Sequence, residues 1–376
     1  MKKVLLFACI EKNIGDDLFI NTVCDRYKEV QFYISKSADY GDLSKIKNLH
    51  FSKLIMKWNR YNEVASNNKI KNFIAHTIAK ILKMFLPRFD CGVYIVGNAF
   101  KNNDYRGKIE SKWIVERIKL VERFYLLSTN FGPYTDEKWK QDFDKIFPKM
   151  KDVCFRDKDS YELFKELDNV RYAPDTVLSI GEKKVVESNR RLVLISLIDC
   201  LYPARSEKIK NCAMSYEDKI VEATDYYVKK GYEVVLVNSN TEQDMAAIQR
   251  IYSKCKNVEK VKIFEYKGDY SEIFKLYESA SLVIGTRLHT IILAWLYGIP
   301  VFPIIYDIKV ENMLKSYGFN GKCVGIEDIN ILDMEYIDCA IKEYDFTGID
   351  ILVNNAQNQF EVLDEELLEI YKNEHK

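Results

Sequence analysis

The apolar positions of this chain fall into short continuous runs, each followed by a longer stretch with helical spacing. Lys2 to Cys9 is the first run. Asn13-Ile14-Gly15-Asp16-Asp17 then turns the chain, and Leu18 to Tyr27 carries apolar residues at Leu18, Ile20 and Val23. This strand, turn and helix pattern returns at Gly92 to Val96 before a helix near 105–121, at Phe124 to Thr129 before 135–150, and at Val153 to Arg156 before 159–167. A polar stretch from Gly181 to Arg191 interrupts it. Strands resume at 192–197, 232–237, 261–264, 281–284 and 301–305, with helices over 216–230, 242–255, 271–280, 288–297 and 309–317. Fully apolar strands alternating with amphipathic helices predict an α/β protein with mostly parallel sheets covered on both faces. The polar lapse divides the chain into two such domains, 1–185 and 186–376, and open sheets of this kind bind ligands at the carboxyl ends of their strands. Phe360, Leu363, Leu367, Leu368 and Tyr371 keep helical spacing and predict a C-terminal closing helix, placed with the second domain.

Composition narrows the function. The 376 residues carry 56 Lys plus Arg against 56 Asp plus Glu, so no overall basic excess argues for nucleic acid, and any field that attracts an anion is local. Nine cysteines are scattered with no C-x-x-C pair, which fits buried thiols of a reducing cytosol rather than a disulfide framework or a metal site. Glu11, Lys12, Asp16 and Asp17 follow the first apolar run too closely for a signal peptide, and no run approaches the ~20 residues that span a bilayer. A cytoplasmic protein is expected. The dinucleotide fingerprint G-x-G-x-x-G is absent after the first strand and the phosphate loop G-x-x-x-x-G-K-[ST] is absent throughout, which argues against a nicotinamide dehydrogenase or a P-loop NTPase.

Several strand ends carry candidate chemistry. Gly285-Thr286-Arg287-Leu288-His289-Thr290 places an arginine, a histidine and fresh helix amides at one strand end, a combination that suits a carboxylate or phosphate. His289 is either a general acid or base there or a structural residue. Asn13, Gly15, Asp16 and Asp17 after the first strand read either as a ligand-facing turn or as a helix cap. Arg156-Asp157 and Pro174-Asp175 read as site residues or as loop salt bridges. Asn130-Phe131-Gly132-Pro133 is a turn, and Tyr306, Asp307 and Lys309 follow the strand at 301–305. From Val64 to Phe89 the chain carries Lys69, Lys71, Lys80, Lys83 and Arg88 with no Asp or Glu, while Ile70, Phe73, Ile74, Ile78, Ile81, Leu82 and Phe85 keep helical spacing. Such a basic amphipathic helix either lies on an anionic membrane, as a peripheral contact, or packs its apolar side on the core.

In this order, Asn13-Ile14-Gly15-Asp16-Asp17, Tyr94-Ile95-Val96-Gly97, Asn130-Phe131-Gly132-Pro133, Phe155-Arg156-Asp157 with Ser160, Pro174-Asp175, Arg287-x-His289 and Tyr306-x-x-Lys309 resemble the polysaccharide pyruvyl transferase family over most of the chain. The resemblance implies a fold like GT-B glycosyltransferases, two Rossmann-like domains facing across a cleft. It implies transfer of pyruvate from phosphoenolpyruvate to hydroxyls of a glycan or lipid-linked glycan precursor, as a ketal, in capsule or exopolysaccharide synthesis. The Arg-x-His pair is the family's phosphoenolpyruvate-binding element and falls on Arg287 and His289. Arg205 is the further arginine expected at the donor, with Thr286 and Lys309 beside it. Asn13, Gly15, Asp17 and Asn130 are placed on the acceptor side in domain 1–185, and the donor belongs to domain 186–376. Where many members have a glycine-rich run, this chain reads Gly97-Asn98-Ala99-Phe100, so a contact needing a second glycine is not carried over.

Ketal formation requires protonation of an enol ether methylene, stabilisation of the oxocarbenium and departure of phosphate. His289 is therefore a candidate proton donor, Asp16 the carboxylate for the acceptor hydroxyl and Asp175 its reserve. No step calls for a metal or cofactor, phosphoenolpyruvate being a co-substrate. Two rivals stand beside this expectation: a GT-B glycosyltransferase holding a nucleotide sugar on Arg287, and a non-catalytic glycan-binding relative.

Overall fold

The computed structural model describes residues 1–64, 68–102, 107–182, 191–343 and 347–368. The polar boundary stretch and Tyr371 fall largely or wholly outside them. Residues 1–10, 16–179 and the C-terminal segment from Asn355 form one compact unit, and Glu11–Gly15 with Ile180–Asn354 forms a second.

In the first unit seven parallel strands lie in the order Leu49–Ser52, Gln31–Ser35, Lys3–Ala8, Cys91–Ile95, Phe124–Thr129, Asp152–Phe155 and Val170–Tyr172. In the second unit six parallel strands run Val261–Glu265, Glu233–Asn238, Leu192–Ser196, Leu282–Gly285, Val301–Ile305 and Val324–Gly325. Both sheets start in the middle, grow to one side for two strands and then reverse to the other, which is the doubly wound order that opens a crevice at the reversal. Central strands such as Val4–Leu6 and Val193–Ile195 are buried on both faces, which is why they appear as unbroken apolar runs. Gln31–Ser35 and Leu49–Ser52 were not predicted, because half-buried outer strands carry Gln31, Tyr33 and His50 among their apolar residues.

The aromatic content concentrates in the first unit. Phe131 packs against Trp139 and Phe164 at 4.7 Å between ring centres, and Phe100 against Phe143 at 4.9 Å. These edge and tilted contacts fill the layer between the sheet and its helices.

The closing segment corrects the predicted division of the chain, because it packs on the first unit. The Glu361–Leu368 helix and the turn before it bury Phe360, Leu363 and Leu367 there. Arg26 forks onto Asp364 at 2.8 and 2.5 Å, and Tyr27 donates to the same carboxylate at 2.7 Å. Buried Gln359 accepts from the Ser128 N–H at 2.9 Å and donates to the carbonyls of Ala173 and Phe155 at 2.7 and 3.3 Å. Apolar spacing announces a helix but not which sheet receives it; these polar partners decide that. Gln359→Leu removes the side-chain partner of the Ser128 N–H and the Ala173 carbonyl, while the Phe155 carbonyl keeps the Ala173 N–H at 3.1 Å, and it is expected to lower stability by about 2 kcal/mol in urea denaturation; an unchanged midpoint would mean water replaces the amide.

Candidate active site

The richest polar edge of the second unit is the carboxyl end of its sheet. Apart from His289 and Thr290 the Leu288–Leu296 helix is apolar, and all of it but His289 is buried, so its start is fixed on the sheet and Arg287 stands at its N-cap position. Arg287 grips Asp244 with two guanidinium nitrogens: Nε donates to Oδ2 at 2.9 Å and Nη2 to Oδ1 at 2.6 Å. Asp244 is fully buried and Arg287 is 13% exposed. Asp244 lies in the first turn of the Thr241–Lys254 helix, capped by Asn240, whose side chain accepts from the Gln243 N–H. The pair thus locks the ends of two neighbouring strand-helix connections together, and Nη1 of Arg287 has no protein partner among the described residues.

Two further cations converge nearby on Tyr306. The Arg205 guanidinium lies 5.1 Å and the Lys309 ammonium 5.3 Å from the centre of its ring. Arg205 also bonds the Asp199 carbonyl at 3.3 Å, and Asp307 caps the helix that carries Lys309. Burial alone would raise the Tyr306 phenol, but Lys309, Arg287 and Arg205 outweigh it and bring it down to about 8. The Tyr306 hydroxyl is buried without a hydrogen-bond partner, as are Oγ of Ser196, Oγ of Ser239 and Nδ2 of Asn238, all in or just past strand carboxyl ends. Buried polar groups are ordinarily paired, so this concentration of unpaired atoms beside cations is an arrangement that an anionic, hydrogen-bonding ligand would complete.

His289 is the second residue of the same helix, half-buried, against the backbone of Gly15: a Cβ at Gly15 would lie 1.8 Å from His289 Nδ1. Asn13 shapes that loop by accepting from the Gly15 N–H at 3.2 Å, and the Ile14 N–H donates to the Ser239 carbonyl at 3.1 Å. Asn13 and Gly15, expected on the acceptor side of the first domain, therefore belong to the second unit with Arg287 and His289. Thr286 requires a correction: it is fully buried, its hydroxyl pairs with Tyr216 at 2.8 Å and its N–H with the Ser196 carbonyl at 3.0 Å, so it frames the site rather than facing a donor.

The other expected residues lie in the first unit, where a separate polar cluster forms. Arg156 donates to Asp175 and to the side chain of Asn130, each at 2.9 Å, and its guanidinium covers Gly97, where a Cβ would approach within 2.7 Å. Four of the short motifs thus meet as one buried network, and Gly97 is required by the arginine upon it. Asp175, proposed as a reserve base, is fully buried and neutralised by Arg156. Asp17 is fully buried and accepts from Tyr40 at 2.7 Å, so it is structural, whereas Asp16 is half-buried. Asp244 and Gln243 escaped the sequence reading; the strand-end rule that found Arg287 also applies at Asn238-Ser239-Asn240 and would have led to them. Among the described residues no group of three or more His, Cys, Asp or Glu is placed to hold a metal ion.

These features define an α/β protein of the GT-B type with a cationic, anion-ready edge on its second sheet. Residues 12–308 match the polysaccharide pyruvyl transferase family, and the chain belongs to that family. It is 20% identical over 310 residues to the amylovoran biosynthesis protein AmsJ of Erwinia amylovora, covering 77% of this chain and 72% of that protein. Among solved structures it is similar in fold to Anabaena HepE in complex with UDP, with TM-score 0.53, 14% identity and coverage of 99% and 100% of the two chains. It is also similar to the UDP-GlcNAc 2-epimerase of Methanocaldococcus jannaschii in complex with UDP-GlcNAc and UDP, with TM-score 0.52, 13% identity and coverage of 94% and 93%.

Arg287→Ala leaves Asp244 buried without its cation and is expected to cost about 3 to 5 kcal/mol of stability, whereas Lys309→Ala should change it by less than about 1 kcal/mol. Urea denaturation of both variants checks this contrast, and equal midpoints would deny the pair its structural role. Subtracting the pH titration of Tyr306→Phe from that of the wild type should leave one phenolate absorbance step near pH 8; a step at about 10, the ordinary value, would remove the cationic ring.

Proposed function

We propose that this protein transfers pyruvate from phosphoenolpyruvate to two hydroxyls of a glycan, or of a lipid-linked glycan precursor, at the cytoplasmic side of surface polysaccharide synthesis. Membership of the polysaccharide pyruvyl transferase family and the likeness to an amylovoran biosynthesis protein support the reaction class. The observation that carries the donor is the ring of Arg205, Arg287 and Lys309 around the unpartnered Tyr306 hydroxyl. Phosphoenolpyruvate bears roughly three negative charges near neutral pH, and a cluster of cations, one of them held as a planar fork, matches its phosphate and carboxylate.

On this reading Arg205 and Lys309 neutralise the donor, and Nη1 of Arg287 supplies a directed hydrogen bond while Asp244 holds the rest of that guanidinium still. Tyr306 and the hydroxyls of Ser196 and Ser239 donate to donor oxygens. His289, fixed by its contact with Gly15, protonates the methylene carbon or the departing phosphate. The first acceptor hydroxyl adds at the resulting oxocarbenium carbon, and the second displaces phosphate to close the ketal. Asp16 is the carboxylate proposed to receive an acceptor proton.

Thermal stabilisation by phosphoenolpyruvate, measured beside a panel of nucleotide sugars, tests this reading because a ligand that binds only the folded state raises its stability. The wild type should shift with phosphoenolpyruvate, and Lys309→Ala or Arg205→Ala should weaken binding on the order of tenfold or more while leaving the unliganded melting temperature nearly unchanged. A shift with a nucleotide sugar alone would assign the cationic edge to a glycosyltransferase donor.

A further inference from the structure

The Lys69–Lys83 helix of the first unit is oriented against the usual rule. Its small residues Ala75 and Ala79 are the buried ones, while Ile70, Phe73, Ile74, Ile81, Met84 and Phe85, in and just after the helix, are 51 to 82% exposed. These six recur at helical spacing and make one outward stripe, with Thr77 between them. A soluble surface rarely presents two phenylalanines, three isoleucines and a methionine in one stripe without something to cover it. The face that packs carries Ala75 and Ala79, with Ile78 and Leu82 partly buried beside them, and the six residues of the stripe lie outside it.

The surroundings of the stripe say what covers it. Lys69, Lys80 and Lys83 run along one flank, and Lys71 lies on the other. Along the lysine flank opens a cavity of about 650 Å³, lined by Lys80 and Lys83, by Lys112 and Lys145 from neighbouring helices, and by Glu116 and Asp142. Glu116 already pairs with Lys119 at 2.6 Å. The cavity therefore keeps an excess of cations on the flank of the helix that carries the exposed apolar stripe. A second copy of this face is a poor occupant, because a two-fold contact sets the same lysines against one another.

We propose that the Lys69–Lys83 helix is a peripheral docking element for an anionic phospholipid bilayer. The stripe enters the boundary between headgroups and acyl chains, Lys69, Lys71 and Lys80 meet lipid phosphates at the surface, and the lysine-lined cavity admits one phosphate headgroup. An apolar face immersed beside a cationic flank is the arrangement that holds an interfacial helix on an anionic surface without spanning it, and no helix among the described residues is long and apolar enough to cross a membrane. The inference stands on this helix alone and does not depend on the donor.

Sedimentation of the full chain with phosphatidylcholine vesicles, with and without phosphatidylglycerol, tests it. Binding to the anionic vesicles should exceed binding to the neutral ones by on the order of tenfold or more, and should fall as salt is raised. Phe73→Ser with Phe85→Ser should lower it by a similar factor, and so should Lys71→Glu with Lys80→Glu. All four side chains are exposed, so the melting temperature should stay at the wild-type value. Equal sedimentation with neutral and anionic vesicles, or wild-type binding by either double variant, would overturn the proposal. So would a wild-type dimer in light scattering that Phe73→Ser with Phe85→Ser converts to a monomer, since the stripe would then serve self-association.

Discussion

A cation can be aimed only if something stiff holds it, and in the second unit that holder is Asp244. Its carboxylate is fully buried and takes two hydrogen bonds from Arg287, so the guanidinium plane is set before any ligand arrives. Because Asp244 opens one helix and Arg287 caps another, the pair also fixes the spacing of two strand ends. Tyr306, with Lys309 three residues on, takes its environment from that placement. A phenol as buried as this would normally resist ionisation, and only the three cations reverse the direction. Charge concentrated in this way is costly to bury alone and becomes favourable when an anion completes it. The unpaired hydroxyls at the same edge fit that account.

The first unit solves a similar problem differently. There the arginine at a strand end, Arg156, donates to Asp175 and Asn130 and lies over Gly97. The network braces three strand ends and the turn after a fourth. Short motifs that look like catalytic signatures in a linear sequence can thus be held for different reasons. Some carry buried polar groups without a protein partner, and others are held by one another and shape the loops around them.

The 69–83 helix adds a third use of surface chemistry. Two buried alanines, with Leu82 partly buried beside them, seat it on the core. Its large side chains are then available for an outside partner, and its lysines select the sign of that partner's charge.

The sequence by itself determined the class of fold, since strands buried on both faces must be apolar throughout and the helices between them must show one apolar side. It also determined the family, which the match over residues 12–308 shows. Tertiary structure decided what periodicity cannot carry. Asp244 is 43 residues from Arg287 in the chain, and no local pattern announces that they pair. The closing helix went to the first unit because Arg26, Tyr27 and the backbone around Ser128 offered it hydrogen bonds, whereas its apolar spacing would have suited either sheet. Gly15 lies in the second unit with its backbone against the His289 ring, where a Cβ would collide, and Asn13 is held there by its bridge to Asn240. The 69–83 helix turned its alanines inward because a face is chosen by the shape of the surface it meets, while the hydrophobic pattern states only that two faces differ.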